Sequence, residues 1–285
     1  MAELISIIVA TYNRPDALDA VLRSLAHQND IDFEVVVADD GSKTDTAAVV
    51  KEWTRRMPVA LKHVWHQDQG FRLAEIRNRA VRVCEGSYCV FLDGDCIAPV
   101  GFVAAHRRLA EPGWFVTGNR VLLSAQFTGD VLREHLELCR WGVARWLRAR
   151  LLGRVNRLAP LIRLPLGPLR KLNARRWRGA RGSNMAFWRD DLDRVDGFDA
   201  AFSGWGREDS DIFVRMIRSG VRRKSGRFAT GVLHLWHPEA DRSGLQQNEL
   251  RLDEVVRTAR IRAMRGLSSL TDGAQPAPHR HEQLA

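Results

Sequence analysis

The sequence predicts an α/β fold in which a doubly wound mixed sheet is flanked by helices. Short runs of β-branched and apolar residues alternate with segments of helical spacing along the first hundred residues. Polar and acidic residues directly follow several of these runs. Right-handed crossovers place such strands parallel, so the residues that end them come together at one rim of the sheet, where open sheets of this class bind ligands.

The first half of the chain supplies four predicted strands and three predicted helices. The strands are rich in apolar and β-branched residues and cover 4–10, 33–38, 61–66 and 88–92. The helices have apolar residues at helical spacing and cover 16–25, 43–55 and 73–84. Neither a Gly-x-Gly-x-x-Gly run nor a Gly-Lys-Ser/Thr phosphate loop occurs, which argues against dinucleotide oxidoreductases and P-loop enzymes.

The second half is predicted to mix helices with further strands. Helical character covers 99–109, 124–139 and 240–263. Apolar runs predict strands at 114–123 and 182–188, and a strand that runs into a loop over 231–239. Residues 266–285 are rich in Ser, Gly, Pro and His and are expected to form a disordered tail.

The positive charge of the chain is concentrated in one segment, residues 140–181, which we call the basic arm. The formal net charge is +10, yet thirteen Lys or Arg and no Asp or Glu lie in this arm. Its tryptophans and leucines predict a basic amphipathic helix followed by a kinked loop. The arm either packs its leucines on its own domain or forms a surface for anionic lipid. Nucleic acid is not predicted as a partner, because helix-turn-helix, zinc and single-strand-binding signatures are absent.

The cysteines and the apolar runs indicate a cytoplasmic location. The four cysteines lack metal-type Cys-x-x-Cys spacing, and three lie in or beside predicted buried structure. The N-terminus has no basic n-region, and no uninterrupted apolar run approaches the roughly 20 residues of a membrane span. The inner face of the cell membrane is the place where the basic arm would attach.

Two carboxylates end the predicted strand 88–92. Asp93 and Asp95 would project from the rim of the sheet toward a ligand, and Gly94 between them would let that ligand approach closely. Hard oxygen ligands of this kind suit Mg²⁺ or Mn²⁺ that holds a phosphorylated substrate. A strand followed by an Asp-Gly turn explains the same pattern without a ligand.

Three motifs together resemble the signatures of family-2 glycosyltransferases with the GT-A fold. They cover residues 6–14 (SIIVATYNR), 37–42 (VADDGS) and 91–95 (FLDGD). The resemblance implies a nucleotide-diphosphate-sugar donor, with a UDP-sugar expected. It also implies one catalytic domain over 1–265, with a nucleotide-binding half at 1–100 and an acceptor half at 101–265 that includes the basic arm.

The same resemblance implies roles for the residues of these motifs. Asp93 and Asp95 would lie at the ribose, the sugar and the metal, with Gly94 between them. Arg77 matches a donor-side position of the family. The alternative explanation is that Arg77 is an exposed arginine on a solvated helix face. The remaining donor-binding candidates, near the base and the ribose, are Thr11, Tyr12, Asn13, Arg14, Asp39 and Asp40.

A second acidic cluster opens the helix predicted after residue 207. A carboxylate in the first turn of a helix interacts favourably with the helix dipole and stabilises the helix by about 0.3–1 kcal/mol. This effect alone explains any single acid there. The stretch 204–209 (GWGRED) resembles the signature of galactosyltransferase-like and chondroitin-polymerase-like GT-A enzymes. That resemblance implies acceptor binding by Trp205, Gly206 and Glu208, with Asp209 as the catalytic base.

Two histidines follow in the stretch 231–239. A lone histidine there is more often structural, but two spaced three apart suit a metal, since neutral imidazole binds Mn²⁺ readily. In the enzymes that the chain resembles, a histidine at this place completes the metal site begun by Asp95. His237 is the first candidate, with His234 as a possible second ligand.

The predicted function is that of an inverting, metal-dependent glycosyltransferase. Asp209 would accept the proton of the acceptor hydroxyl as the single base, which favours inversion. The acceptor is expected to be a glycan or a lipid-linked saccharide such as lipopolysaccharide core. Two alternatives are a nucleotidyltransferase, and a non-enzymatic basic protein that binds membrane or nucleic acid.

Overall fold

The structure is a computed structural model and describes residues 2–270. The strands of this part of the chain are β1 Ile5–Thr11, β2 Phe33–Asp39, β3 Leu61–Trp65, β4 Tyr88–Asp93, β5 Cys96–Ile97, β6 Trp114–Thr117, β7 Arg120–Leu122, β8 Asn184–Trp188, β9 Arg222–Ser225 and β10 Val232–His234. The α-helices are α1 Pro15–Ala26, α2 Thr44–Arg56, α3 Leu73–Val83, α4 Phe102–Leu109, α5 Ala125–Arg133, α6 Val143–Leu151, α7 Arg189–Val195, α8 Glu208–Arg218 and α9 Leu245–Arg257.

Seven of these strands form one mixed sheet in the order β3-β2-β1-β4-β8-β6-β9. The first four are parallel, and β8 is antiparallel to both β4 and β6. Along β1, Ile7 and Val9 belong to the hydrophobic cluster on one face and Ile8 to the cluster on the other. Helices therefore cover both faces, as parallel strands require, and the predicted α/β class is confirmed.

The register of the parallel strands defines the rim at which the candidate site lies. Thr11 is opposite Asp39, and Ala10 is opposite Asp93. The residues that follow β1, β2 and β4 therefore emerge side by side at the carboxyl ends of the strands. This is the location expected for a ligand crevice in an open α/β sheet.

The predicted continuous strand 114–123 was wrong, because the chain changes sheet at Gly118. β6 belongs to the large sheet, whereas β7 joins β5 and β10 in a small three-stranded sheet. The amide of Gly118 donates to the carbonyl of Asn184 over 2.8 Å, and a Cβ at Gly118 would lie 2.3 Å from Asn184 Nδ2. The apolar pattern concealed this break, because both strands are apolar.

Several predicted helices are shorter in the structure. The helix predicted at 99–109 begins at Phe102, after Gly101 with φ 80°. That predicted at 124–139 ends at Arg133, since His135 has φ 53°, and a 3-10 turn follows over Leu138–Arg140. That predicted at 240–263 covers Leu245–Arg257.

The predicted disordered tail needs a correction at its start. Residues 266–270 are described, and Leu267–Ser269 forms a 3-10 turn. The amide of Leu267 donates to the carbonyl of Asp196 over 3.0 Å, and the amide of Ser268 donates to its carboxylate over 2.8 Å. These bonds hold the segment against the loop after α7. The rest of the predicted tail, 271–285, lies outside the described residues.

The basic arm has an inward and an outward face. Its amphipathic helix is α6, in which Trp146 is buried and lies 5.1 Å from Trp141, ring centre to ring centre. The outward side chains include Val143, Leu147 and Leu151, which are 76%, 52% and 87% exposed. Among residues 2–270, no helix combines the length and apolar character needed to cross a bilayer.

Candidate active site

The loop after β4 is pressed against the end of β1. The amide of Gly94 donates to the carbonyl of Ala10 over 2.7 Å, and a Cβ at this glycine would lie 2.7 Å from that oxygen and 3.1 Å from Thr11 Cβ. A larger residue would therefore displace the loop from the rim. The close contact fixes the carboxylates of Asp93 and Asp95 on either side of the glycine.

Asp95, His234 and His237 form a cluster whose ligand atoms all lie within 4.8 Å of one another. Asp95 Oδ2 is 3.2 Å from His237 Nε2 and 3.5 Å from His234 Nε2. The small sheet creates this proximity: His234 pairs with Cys96, and the amide of Leu235 donates to the carbonyl of Asp95 over 2.9 Å. The two histidines are therefore positioned by backbone pairing with the residues beside Asp95.

The chemistry of this cluster fits a divalent transition-metal ion. Burial lowers the pKa of His234 to about 4, so its imidazole is neutral and available as a ligand at neutral pH. Burial opposes ionisation of Asp95, but the hydrogen bond with His237 and the two imidazoles hold the pKa of Asp95 below its usual value. Two imidazoles beside one carboxylate favour a transition metal such as Mn²⁺ over Mg²⁺, which takes oxygen ligands. Burial raises the pKa of the nearby Cys96 thiol well above its usual value, so that thiol is a poor ligand.

Arg77 connects the two acidic motifs. Its Nη2 is 3.1 Å from Asp93 Oδ1 and its Nη1 is 3.3 Å from Glu208 Oε1. The side chain is 1% exposed and its guanidinium lies 5.3 Å from the ring centre of Phe198. The alternative of a solvated arginine on an exposed helix face was therefore wrong.

The carboxylates beside Arg77 bind protons more tightly than usual. Burial, together with the negative charge of Asp209, raises the pKa of Glu208 to about 7. Burial also raises the pKa of Asp93, with Arg77 opposing the shift. Glu208 therefore exchanges a proton near neutral pH, so that it can donate as well as accept a hydrogen bond.

Asp209 lies in the first turn of α8, where the sequence predicted it. Arg207 before the helix has φ 77° and Gly206 has φ 98°, so the chain enters the helix through a tight turn. Asp209 Oδ2 accepts from the amide of Gly182 over 2.8 Å, and Oδ1 accepts from the hydroxyl of Ser210 over 3.2 Å. These donors orient the carboxylate without the neutralisation that an arginine would bring.

Trp205 lies in the loop that leads into α8. The indole is 36% exposed, and the Arg242 guanidinium lies 4.8 Å from its ring centre. Asn248 on α9 donates from its side-chain amide to the carbonyls of Ser203 and Gly206, both over 3.0 Å. The loop that carries Trp205 is therefore anchored to α9, and the indole remains partly exposed.

Asp39 and Asp40 hold loops rather than projecting freely into the crevice. Asp39 accepts from the amide of Ser42 over 2.8 Å and lies 3.0 Å from His63 Nε2. Asp40 lies 2.6 Å from His66 Nε2 and accepts from the amide of Arg72 over 2.9 Å. The two histidines belong to the site region but were not recognised in the sequence, where they look like ordinary members of a strand.

The four residues after β1 border the same crevice with different exposure. The hydroxyl of Tyr12 donates to Asp68 Oδ2 over 2.8 Å, while the ring is 45% exposed. Asn13 has φ 48°, and its amide donates to Ser42 Oγ over 2.8 Å. Arg14 pairs with Asp16 at 2.9 Å, and Thr11 is buried. Tyr12 and Arg14 are therefore the members of this group that can reach a ligand.

Arg120 is a site residue that sequence reasoning missed. It begins β7, and its positive charge acts on Asp93 and His234. Its guanidinium therefore adds a second cation, beside Arg77, to a crevice that otherwise concentrates acids. The only signal in the sequence was a charged residue within an apolar run after a glycine.

Comparison with known proteins identifies two matching regions. The family model "Glycosyl transferase family 2" matches residues 6–159, and "N-terminal domain of galactosyltransferase" matches residues 171–238. Validoxylamine A glucosyltransferase of Streptomyces hygroscopicus subsp. jinggangensis (strain 5008) is 31% identical over 277 residues, which cover 89% of this chain and 60% of that protein. Chondroitin synthase of Escherichia coli is 27% identical over 242 residues, which cover 78% of this chain and 33% of that protein. The chain thus spans well under two thirds of the length of these relatives.

Solved structures share the fold. A mannosyltransferase from Pyrobaculum calidifontis, PcManGT, in complex with GDP-Man and Mn²⁺, superposes with a TM-score of 0.58 at 20% identity and covers 90% of this chain and 65% of its own. S. aureus TarS 1–349 in complex with UDP superposes with a TM-score of 0.57 at 16% identity. The superposition covers 91% of this chain and 66% of the TarS chain. The GT-A fold predicted from the motifs is confirmed, and the predicted enzyme class is that of the matching family. The chain belongs to glycosyl transferase family 2.

Proposed function

We propose that this chain transfers a sugar from a nucleotide-diphosphate sugar, a UDP-sugar, to a hydroxyl of a saccharide with inversion at the anomeric carbon. The observation that carries the proposal is the convergence of three groups in one crevice. These groups are the cluster of Asp95 with two histidines, the pair of acids joined by Arg77, and the carboxylate of Asp209. The family membership and the nucleotide ligands named for the superposed structures support it.

Mn²⁺ or Mg²⁺ is the proposed cofactor, held by Asp95 and His237 with His234 as a third ligand. The two imidazoles favour Mn²⁺ of the two ions. When bound, the ion supplies Lewis-acid neutralisation of the departing diphosphate. Arg120 and Arg77 add fixed positive charge on the same side of the crevice, where they stabilise the negative charge that develops on the leaving group.

Asp209 is the proposed general base. Its carboxylate accepts the proton of the acceptor hydroxyl as that oxygen attacks the anomeric carbon, and the bond to the diphosphate breaks on the opposite face. Glu208 hydrogen-bonds a neighbouring acceptor hydroxyl, because its raised pKa lets it act as donor or acceptor near pH 7. Trp205 and Gly206 form the wall against which the acceptor ring packs.

The donor nucleotide is proposed to lie along the ends of β1, β2 and β4. Tyr12 and Arg14 contact it directly, while Thr11 and Asn13 shape the loop between them. Asp39 and Asp40 keep the neighbouring loops in place, as their buried hydrogen bonds indicate. Asp93 and Gly94 approach the ribose and the sugar.

The acceptor is proposed to be a glycan or a lipid-linked saccharide such as lipopolysaccharide core. The exposed apolar side chains of α6, flanked by the arginines of the basic arm, favour attachment to an anionic membrane on the cytoplasmic side. Nucleic acid has no part in this proposal. Such attachment would bring the crevice to an acceptor whose lipid remains in the bilayer.

A donor screen tests the proposal directly. Nucleotide sugars that differ in base and sugar are incubated with the protein and Mn²⁺, without acceptor, and release of nucleoside diphosphate is measured. We expect slow hydrolysis of one UDP-sugar, and its loss on chelation of the ion. Asp95→Ala serves as the inactive control. Release of nucleoside monophosphate and sugar 1-phosphate instead of nucleoside diphosphate would place the cleavage at the phosphoanhydride, as in nucleotidyl transfer, and overturn the proposal.

A further inference from the structure

A second cavity lies in the acceptor half and shares no lining residue with the candidate active site. Its volume is about 570 Å³, and its walls come from α4, from the segment 163–171 of the basic arm, and from β9 with the loop that follows it. The arm reaches this place because the amide of Leu164 donates to the carbonyl of Phe228 over 2.9 Å. The cavity is therefore formed by the arm folding over an edge strand of the large sheet.

The charges around this cavity are not balanced within the protein. Five basic side chains and one acid line it. The acid, Glu111, is engaged by two lysines, since its carboxylate oxygens lie 2.6 Å from Lys171 Nζ and 2.7 Å from Lys224 Nζ. The remaining cations are Arg108, Arg163 and Arg170, and none of them forms an ion pair with a carboxylate of residues 2–270.

Arg170 shows how the imbalance arises. The residue is 7% exposed, and its guanidinium donates only to main-chain carbonyls: Ser225 and Leu164 at 3.0 and 2.7 Å, and two more in the loop after β9. Carbonyl dipoles satisfy the N–H groups but do not neutralise the charge. Burial lowers the pKa of Arg170, which is the electrostatic cost of a cation without a counter-ion. A negatively charged group in the cavity would remove that cost.

The two other arginines lie at the exposed edge of the same cavity. Arg163 donates through Nη2 to the carbonyl of Val100, and burial lowers its pKa, with the charge of Arg108 adding to the effect. Two guanidiniums that repel each other across a cavity attract an anion placed between them. Their planar donor geometry suits phosphate oxygens in particular.

The rest of the lining is apolar. Leu109, Leu164, Pro165 and Phe228 contribute hydrocarbon surface next to the cations. A cavity of about 570 Å³ lies in the range of sites for organic ligands and is far larger than an inorganic phosphate requires. Leu164 is 44% exposed and Leu169, beside Arg170, is 60% exposed, so apolar surface continues from the cavity to the outside of the arm.

We propose that this cavity binds a phosphate ester that carries a hydrocarbon chain. The phosphate is bound by the guanidiniums of Arg108 and Arg163, the buried charge of Arg170 attracts it without donating to it, and the first part of the hydrocarbon chain lies on the apolar wall. Two sources share this chemistry, a glycerophospholipid and a polyprenyl phosphate. The proposal stands independently of the sugar-transfer reaction, because no residue of the crevice contributes to the cavity.

The test is a titration with decyl phosphate below its micelle concentration, followed by calorimetry. We expect saturable binding of decyl phosphate, and binding at least about tenfold weaker for inorganic phosphate and for neutral decyl maltoside. The double variant Arg108→Gln/Arg163→Gln removes the two cations at the exposed edge. It should weaken the binding of decyl phosphate by about tenfold or more. Arg170 is left intact, because its four carbonyl contacts hold the arm.

Arg55→Gln is the matched control, since Arg55 is exposed on α2 and lies in neither site. Unchanged binding of UDP with Mn²⁺ in all variants separates this cavity from the proposed donor site. The affinities of dihexanoyl phosphatidylglycerol and farnesyl phosphate are compared in parallel. Tighter binding of the first identifies a glycerophospholipid as the source, and tighter binding of the second identifies a polyprenyl phosphate. Equal binding of inorganic phosphate or of decyl maltoside would overturn the proposal, as would a double variant that binds decyl phosphate like the control.

Discussion

Asp93, Asp95, Glu208 and Asp209 are carboxylates of one crevice that lie in three different settings. Asp95 is next to two imidazoles, Asp93 and Glu208 share Arg77, and Asp209 accepts from a main-chain amide and a hydroxyl. Different surroundings give chemically identical carboxyl groups different pKa values. Active sites use such differences to make one group an acid and another a base.

Removal of a cluster ligand should abolish metal-dependent binding of the donor nucleotide. We expect Asp95→Ala and His237→Ala each to bind UDP with the same affinity in the presence and absence of Mn²⁺, whereas the unaltered protein gains affinity from the ion. The fold should persist, because both side chains lie at the rim and contribute little to the core. Calorimetric titration of UDP with and without Mn²⁺ measures the effect.

His135→Ala provides the control for this measurement, since His135 is exposed and contacts Arg23 and Asp19 of α1, outside the Asp95 cluster. It should retain the full response to Mn²⁺. The site assignment would be wrong if both cluster variants kept the metal-dependent gain.

Replacement of Asp209 should separate binding from transfer. Asp209→Asn preserves the shape and the hydrogen bond from Gly182, but the amide cannot accept the acceptor's proton. We expect donor affinity to remain and the transfer rate to fall by roughly 10²–10⁴, the contribution of a general base. Single-turnover transfer to a saccharide acceptor measures the rate, and near-normal transfer would move the base to Glu208.

Among the elements, α4 is joined to the large sheet by a buried histidine. His106 is fully buried, its Nε2 lies 3.2 Å from Asn184 Oδ1 at the start of β8, and its ring centre is 4.6 Å from that of Phe102. Burial lowers the pKa of His106 to about 3. The imidazole is therefore neutral in the folded protein across the physiological range.

This histidine should make the protein less stable in mild acid. Below about pH 6.5 the unfolded chain binds a proton at His106 that the folded protein does not, so the free energy of unfolding falls as the pH decreases. Between pH 7 and 5.5 we expect a loss about 1 kcal/mol larger in the unaltered protein than in His106→Gln. Urea unfolding of both proteins at the two pH values measures the difference, and identical pH dependence would refute it.

The helix α6 should attach the protein to anionic membranes. Each basic residue near such a surface contributes up to about 1 kcal/mol and is screened by salt. We expect flotation with anionic liposomes at low salt, and loss of flotation at high salt, with neutral liposomes, and in Leu147→Gln/Leu151→Gln. These leucines are exposed, so the double variant should remain folded.

Leu250→Gln on α9 is the matched control, because it removes one equally exposed leucine outside the basic arm. It should float like the unaltered protein. Flotation that does not depend on lipid charge and salt would contradict this prediction. The basic arm would then be assigned to packing on its own domain.

For the whole molecule, the sequence predicted the elements of residues 1–100 closely and those of residues 101–265 less closely. The bounds of β1 to β4 and of α1 to α3 differ from prediction by one residue or so, because each is a compact apolar or amphipathic run. The predicted site residues likewise follow strand ends, and parallel pairing brings those ends together. Local sequence pattern was sufficient to predict these elements, because β1, β2 and β3 each pair with the strand next to them in the chain.

Residues 101–265 depend on contacts between segments that are distant in sequence, and local sequence pattern does not reveal such contacts. Gly118 diverts the chain because of Asn184, and Arg77 is buried because Glu208, 131 positions later, lies against it. Arg120 joins the crevice for the same kind of reason. The sequence predicted the acids and histidines that the structure brings together, but not that an arginine links the two acidic motifs.

The small sheet of β5, β7 and β10 also sets when the ion site can exist during translation. A growing chain that has emerged to residue 230 contains all seven strands of the large sheet, yet His234 and His237 have still to leave the ribosome. Since N-terminal parts fold first during synthesis, residues 1–100 can form their strands and helices before the two histidines arrive. Closure of the Asp95 cluster would therefore mark a chain that has been translated past His237, and shorter chains would lack the two imidazoles of the proposed ion site.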